Sequence, residues 1–259
     1  MYTITTMTTE NTQLPNLDFN NTAIAFHSKS DKDLDRAYWL FKMVASNALI
    51  KVGTPITNFA LNIGLPIQGI IRNTIYKQFC GGESIAGCTS SIQELGDNGV
   101  STILDYSVEG EESEASFDAT CAEILATVSY GITNKNISFC VFKPTGLGRF
   151  DLFEKIDAKK ALSPDEEAEY ARMYARVDSI CKACQQADIP VLVDAEHSWI
   201  QDTIDDITRE MMEKYNRQKP IVYNTYQLYR KDKLASLKAD FAYAEVQNFP
   251  IGAPLVSAA

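Results

Sequence analysis

The sequence predicts an α/β fold in which βα units build a parallel sheet behind an N-terminal helical segment. Three observations carry this. From Val100 onward, short apolar runs alternate with stretches of helical periodicity in repeats of roughly thirty to fifty residues, the rhythm of strand–helix units on a parallel sheet. Before Val100 the periodicity is helical. Polar residues follow the apolar runs, which puts them at the carboxyl ends of the strands, where barrels and open sheets alike keep their chemistry.

Residues 1–29 lack a clear period and are expected to form a flexible arm. Ser30 with Asp33 has the spacing of a helix start, and Leu34, Tyr38, Phe41, Val44 and Ala48 share one face of the helix that follows. Thr54-Pro55 and Pro66 are expected to open further helices, with Gly64 as the stop between them. Val52 to Ile71 carries no charge, but Pro55, Asn58, Asn62 and Pro66 disqualify it as a membrane span. Ile56, Phe59, Ala60 and Ile63 at helical spacing make it a core-facing helix instead. A glycine turn at Gly81-Gly82 interrupts the helical segment, which is assigned to residues 30–99.

Residues 100–259 form the sheet domain. Thr102 to Tyr106 is the first expected strand, followed by a helix with Phe117, Cys121, Leu125 and Val128 on one face and Gly131 as its stop. Ile137 to Phe142 is the second strand. Ser163-Pro164-Asp165-Glu166 combines an N-cap, a proline at the first helical position and a capping-box glutamate, opening a helix to about Gln186. Val191-Leu-Val193 is the third strand; Ile200, Ile204, Ile207, Met211 and Tyr215 mark the next helix. Ile221 to Tyr226 is the fourth strand, Leu234, Leu237 and Phe241 belong to the helix after it, and Leu255-Val256 begins a fifth strand.

The 259 residues carry a net charge of −10, which argues against nucleic acid and against an anionic membrane surface as partners. Six scattered cysteines do not make a disulfide framework and suit a reducing compartment. Met1 to Asn11 lacks the basic start and apolar block of a secretory signal. The first basic residue is Lys29, so no mitochondrial presequence is expected. The location expected from these features is cytoplasmic, with at most a peripheral membrane contact.

The polar residues at the strand ends are Asp105, Tyr106 and Glu109, then Lys143 and Thr145, then Asp194, Glu196 and His197, then Thr225, Tyr226 and Gln227. Asp194 ends an apolar strand, where burial raises a carboxyl's proton affinity unless a cation compensates; Lys143, at the end of the neighbouring strand, is that cation. A lysine in a parallel strand has no solvated face unless it lies at the strand's end. Ser198 and Asp202 are placed to cap the following helix, which frees Asp194 from that duty. Cys181-x-x-Cys184 has no second pair and is expected to be structural. Gly146-Leu-Gly148 lacks the third glycine of a dinucleotide loop. A metal site on Asp194, Glu196 and His197 is disfavoured because neighbours in a strand point to opposite faces.

Five motifs then stand together: Phe79-Cys-Gly-Gly-Glu-Ser84, Ile103-Leu-Asp-Tyr-Ser-Val-Glu-Gly110, Val141-Phe-Lys-Pro-Thr145, Val193-Asp-Ala-Glu196 and Asn224-Thr-Tyr-Gln227. In order and spacing they resemble the proline dehydrogenase family, in its stand-alone, eukaryote-like branch, from about residue 30 onward. The resemblance implies a distorted (β/α)8 barrel with FAD at the carboxyl ends of its strands. It implies oxidation of L-proline to Δ1-pyrroline-5-carboxylate by hydride transfer to flavin N5, with a quinone taking the electrons onward. Lys143 matches the lysine that helps hold the proline carboxylate, and Asp194 the aspartate of the network beside substrate and flavin. Gln227 matches a flavin-contacting glutamine, flanked by Thr225 and Tyr226 as cofactor neighbours, with Asp105 and Glu196 supporting the site. No metal is implied.

One departure accompanies the agreement. The family's fifth strand resembles Gly-x-Lys-Leu-Val-Arg-Gly-Ala-Tyr, its arginine contacting the flavin, whereas this chain has Gly252-Ala-Pro254-Leu-Val-Ser257. Only about five of eight βα units are accommodated. The resemblance therefore implies a C-terminally truncated member with impaired activity on its own. The alternatives are a Schiff-base lyase using Lys143 as nucleophile and a non-catalytic remnant.

Overall fold

The computed structural model describes residues 18, 20–106 and 112–257. Two compact units divide at Cys80/Gly81.

The first unit is helical. A single turn, α1 (Thr22–Ala25), capped by Asn21, lies within the stretch expected to be an arm. α2 (Asp31–Val44) starts where Ser30 accepts from the Asp33 amide. Its buried residue is Leu40, while Tyr38, Phe41 and Val44 are exposed, so the buried face is turned from the expected one. α3 (Asn47–Asn62) is capped by Ser46 and runs straight through Pro55, where a helix start was expected. Of its supposed core face only Ala60 is buried; Ile56, Phe59 and Ile63 are exposed. Gly64, at φ +73°, ends the run in the left-handed region that glycine adopts freely. α4 (Gln68–Ile71), a π-helical turn (Arg72–Tyr76) and α5 (Lys77–Phe79) complete the unit, with Phe79 meeting Phe41 edge-on at 5.9 Å. No helix among the described residues is long and apolar enough to cross a membrane.

The second unit starts with α6 (Ile85–Asp97), capped by Ser84. Its Cys88 and Ile92 pack with Ile137, Leu104 and Tyr130, so α6 belongs with the sheet rather than with the preceding helices. β1 (Thr102–Leu104) leads through residues 107–111, which lie outside the described part and include Glu109, to α7 (Glu114–Thr133). Gly131 was expected to stop α7 but lies inside it. A Cβ there would come within 2.9 Å of Ile189 and 3.3 Å of Ile137, so the missing side chain serves close packing rather than termination. β2 (Ile137–Phe142) follows as expected. A 3-10 turn (Pro144–Gly146) and the short helix α8 (Phe150–Asp157), absent from the expected elements, precede α9 (Pro164–Ala187). Ser163 and Glu166 form the reciprocal capping box at the start of α9.

β3 (Val191–Val193), α10 (Gln201–Tyr215), β4 (Val222–Asn224), β5 (Tyr226–Gln227), α11 (Lys233–Gln247) and β6 (Leu255–Val256) complete the order. The expected fourth strand is thus two short pieces with Thr225 between them. The four-stranded sheet runs β1-β2-β3-β4, all parallel, and β5 pairs in parallel with β6. Strand order follows chain order without reversal, the winding of a β/α barrel rather than of a doubly wound sheet.

Alternate residues divide the sheet into two faces. Cys140, Phe142, Val191, Val193 and Val222 are buried in the main core with Ile180, Cys181, Cys184, Ile204 and Met211 from the helices. Phe139, Val141, Leu192 and Tyr223 point the other way and are half-buried, the rings of Phe139 and Tyr223 meeting edge-on at 5.6 Å over β3. Cys181 and Cys184 are fully buried free thiols, consistent with a structural role.

Candidate functional site

The inner face of the sheet ends in a polar layer. β2 and β3 pair Val141 with Leu192 and Phe142 with Val193, so one step further along Lys143 and Asp194 emerge side by side on the inner face. Pro144 follows Lys143, bending the chain into the 3-10 turn that stops the strand. That turn brings Thr145 to Glu196: the Thr145 amide donates to one carboxylate oxygen at 3.0 Å and its hydroxyl to the other at 2.5 Å. The Glu196 peptide is held as well. Its N–H donates to Gln201 Oε1 at 2.7 Å and its carbonyl accepts from Gln227 Nε2 at 3.1 Å. Lys143, Thr145, Asp194, Glu196 and Gln227, from the ends of β2, β3 and β5, therefore meet at one place.

The electrostatics follow from burial around one cation. Burial raises the Asp194 carboxyl above its ordinary value, Lys143 opposing and Asp105 adding to the rise. Burial likewise raises Glu196, against the Thr145 hydrogen bonds and Lys143. Two carboxyls with heightened proton affinity beside one lysine are a site able to bind a carboxylate through the cation and to hold a proton nearby.

The stability consequence has a definite sign. A carboxyl whose folded-state value lies above its unfolded one binds its proton first in the native state as pH falls. Ionised Asp194 therefore subtracts stability above its raised value, and that loss disappears as pH falls to the ordinary 3.8. Asp194→Asn is expected to be more stable than the unmodified chain at neutral pH, the difference shrinking towards pH 3.8. Denaturant unfolding at both pH values measures this; a variant less stable at neutral pH contradicts it.

Some expected residues lie elsewhere. Tyr226 was expected beside a cofactor, but neighbours in β5 face opposite ways: Gln227 reaches the Glu196 carbonyl, while Tyr226 is fully buried and donates to Asp240 of α11 at 2.8 Å. Burial and Asp240 push its phenol well up. Tyr226 is a helix-facing core residue, a correction to its expected role. Thr225 is buried at the break between β4 and β5. Asp105 is exposed and, with Tyr106, lines a recess of about 80 Å³ against the Gly82–Ser84 turn. His197 stacks on Trp199 at 4.6 Å, with Phe150 edge-on to it, outside the carboxylate cluster. Ser198 and Asp202 do not cap α10; Asp157 of α8 accepts from the Thr203 amide at 3.0 Å instead. A larger hollow of about 440 Å³, lined by Lys214, Arg217, Lys219 and Ile221, opens at the opposite, amino-terminal end of the strands.

Gln201 was not singled out from the sequence, yet it is fully buried and holds the Glu196 amide. A signal existed: Gln201, Asp205 and Thr208 are polar residues at helical spacing on the same buried stripe as Ile204, Met211 and Met212.

A family model described as proline dehydrogenase matches residues 88–259. A mitochondrial proline dehydrogenase of Dictyostelium discoideum is 29% identical, the match covering 95% of this chain and 51% of that protein. One from Arabidopsis thaliana, also named mitochondrial, is 24% identical over 94% of this chain and 58% of its own length. The chain thus spans about half the length of the relatives it matches. A crystal structure of proline utilization A from Bdellovibrio bacteriovorus superposes with a TM-score of 0.63 at 15% identity, covering 92% of this chain and 26% of that one, and shares the fold. The mitochondrial relatives overturn the expected cytoplasmic location. That expectation took the composition of one terminal stretch for an address, whereas addresses are read by receptors and are independent of the fold.

Proposed function

The chain belongs to the proline dehydrogenase family, and on that premise we propose that its strand-end site serves the flavin-dependent oxidation of L-proline to Δ1-pyrroline-5-carboxylate. The observation that supports it is the meeting of Lys143 with the half-buried carboxyls of Asp194 and Glu196. Lys143 binds the proline carboxylate by a charge-assisted hydrogen bond. The ring ammonium of the zwitterion must shed one proton before the carbon beside it can release hydride. Asp194, its proton affinity raised by burial, accepts that proton and leaves the amine neutral. Glu196, fixed by Thr145, keeps the negative field that favours the ammonium on arrival.

The residues present fit a flavin, and we propose FAD. The half-buried inner face of Val141, Leu192 and Tyr223 offers an apolar bed for a planar ring, and Gln227, with Thr225 beside it, offers an amide at its edge. When bound, the flavin supplies the hydride acceptor. A quinone is the acceptor that carries the electron pair onward, and the mitochondrial relatives support a mitochondrial setting. Ser257 stands where the resemblance implies a flavin-contacting arginine, so the flavin is expected to be held less firmly than in the family pattern.

The test is to equilibrate the purified chain with FAD, remove excess, and follow the visible flavin band as proline is added without oxygen. Retained flavin that bleaches with L-proline and not with D-proline is expected; a chain that binds neither flavin nor proline sinks the proposal. Borohydride trapping of a carbonyl compound on Lys143 without flavin would support the lyase alternative instead.

A further inference from the structure

Behind the site lies a buried ion pair that the proposed chemistry does not use. Lys233, at the start of α11, is 1% exposed and donates to Asp205 of α10, itself 8% exposed. Asp205 also accepts from Gln201 Nε2 at 2.8 Å and from Asn224 Nδ2 at 3.2 Å. A buried Lys–Asp pair is seldom a net source of stability, since an apolar pair of similar volume does as well. Its distinguishing property is direction. An ionised aspartate only accepts, so the amide groups that touch it must turn their NH₂ ends towards it.

For Asn224 that orientation leaves the buried Oδ1 without a hydrogen-bond partner among the described residues, so the pull of Asp205 overrides what the amide would otherwise satisfy. For Gln201 it has a longer reach. With Nε2 on Asp205, Oε1 faces the opposite way and accepts the Glu196 N–H. The chain of contacts therefore runs from Lys233 through Asp205 and Gln201 to the peptide whose side chain is bound by Thr145 and whose carbonyl is bound by Gln227.

We propose that the Lys233–Asp205 pair is a positioning element: by fixing the orientation of the Gln201 amide it sets the Glu196 peptide, and with it the carboxylate that faces the substrate. The last clause rests on the proline-oxidising reading; the positioning itself does not. Neither residue touches the reacting atoms.

Amide hydrogen exchange on the full chain, without flavin or proline, tests it. In Asp205→Asn combined with Lys233→Met, which removes both charges together, the Glu196 amide is expected to exchange at least about tenfold faster while Val191 and Val193 keep their rates. Gln201→Leu, with the ion pair intact, should accelerate Glu196 in the same way. The proposal is overturned if the Glu196 rate is unchanged in either variant, or if Val191 and Val193 accelerate in parallel, which would make the pair a general support of the fold. Failure of the proline reading shows separately, as absence of proline binding by the unmodified chain, and leaves the exchange result standing.

Discussion

Lys143→Met is expected to weaken proline binding by about tenfold to a hundredfold, the loss of one charge-assisted hydrogen bond worth roughly 1.5–3 kcal/mol. The substitution keeps the side chain's length and apolar stem, so the fold is left intact while the cation disappears. A second effect follows from the same charge. Lys143 opposes the burial that raises Asp194 and Glu196, so without it both carboxyls rise further and the proton-accepting form of Asp194 is reached only at higher pH. Calorimetric titration with proline reads the first effect, and carbon-13 titration of the two carboxyls reads the second. Unchanged proline affinity, with the carboxyl titrations moved as expected, would place Lys143 in the electrostatics of the site and remove it from substrate binding.

Asn216→Ala is expected to cost about 3–5 kcal/mol of stability, among the largest effects a single polar residue can have. Asn216 follows α10 and is fully buried. Its Nδ2 donates to the carbonyls of Val222 at 2.9 Å and Pro250 at 3.1 Å, while its Oδ1 accepts from the amides of Ile221 at 2.9 Å and Val222 at 2.8 Å. One side chain thereby joins the end of a helix, the start of β4 and the approach to β6. Alanine strands four backbone groups in the interior. Asn216→Asp keeps the two accepted bonds and loses the two donated ones, so it should fall between the unmodified chain and the alanine variant in denaturant unfolding. Equal stability of all three would show that these groups find other partners.

The sheet was legible because its strands carry their signal locally. Ile137 to Phe142 and Val191 to Val193 are apolar, β-branched or aromatic runs bounded by turn residues, and each stands within a residue of its expected place. Helix starts were legible where a side chain supplies the cap, as at Ser30 and Ser163, and illegible at α10, whose cap comes from Asp157 across a gap of 46 residues. α8 escaped because it spans eight residues and Arg149 makes no side-chain cap bond. Pro55 misled because a proline can sit inside a helix whose neighbours tolerate the lost bond.

Site residues divide along the same line. Lys143, Asp194 and Gln227 stand at strand ends as expected, because the end of an apolar run is a position that sequence marks. Tyr226 and Gln227 share a motif but not a face, and only the two-residue period separates them. Gln201, Asp205 and Lys233 act through contacts made across three elements, and the ion pair bridges 28 positions of chain, a distance at which no local pattern announces a partner.

The strand order has a consequence for how the molecule comes into being. Within the four-stranded sheet, each strand from β2 to β4 pairs with the one that left the ribosome just before it, so a nascent chain can lay these strands on an edge that already exists. Growth of this kind needs no waiting for a distant segment and keeps the contacts that form early short-ranged in sequence. The exposed margin that is a hazard in a finished sheet is, during synthesis, the template on which the next piece condenses.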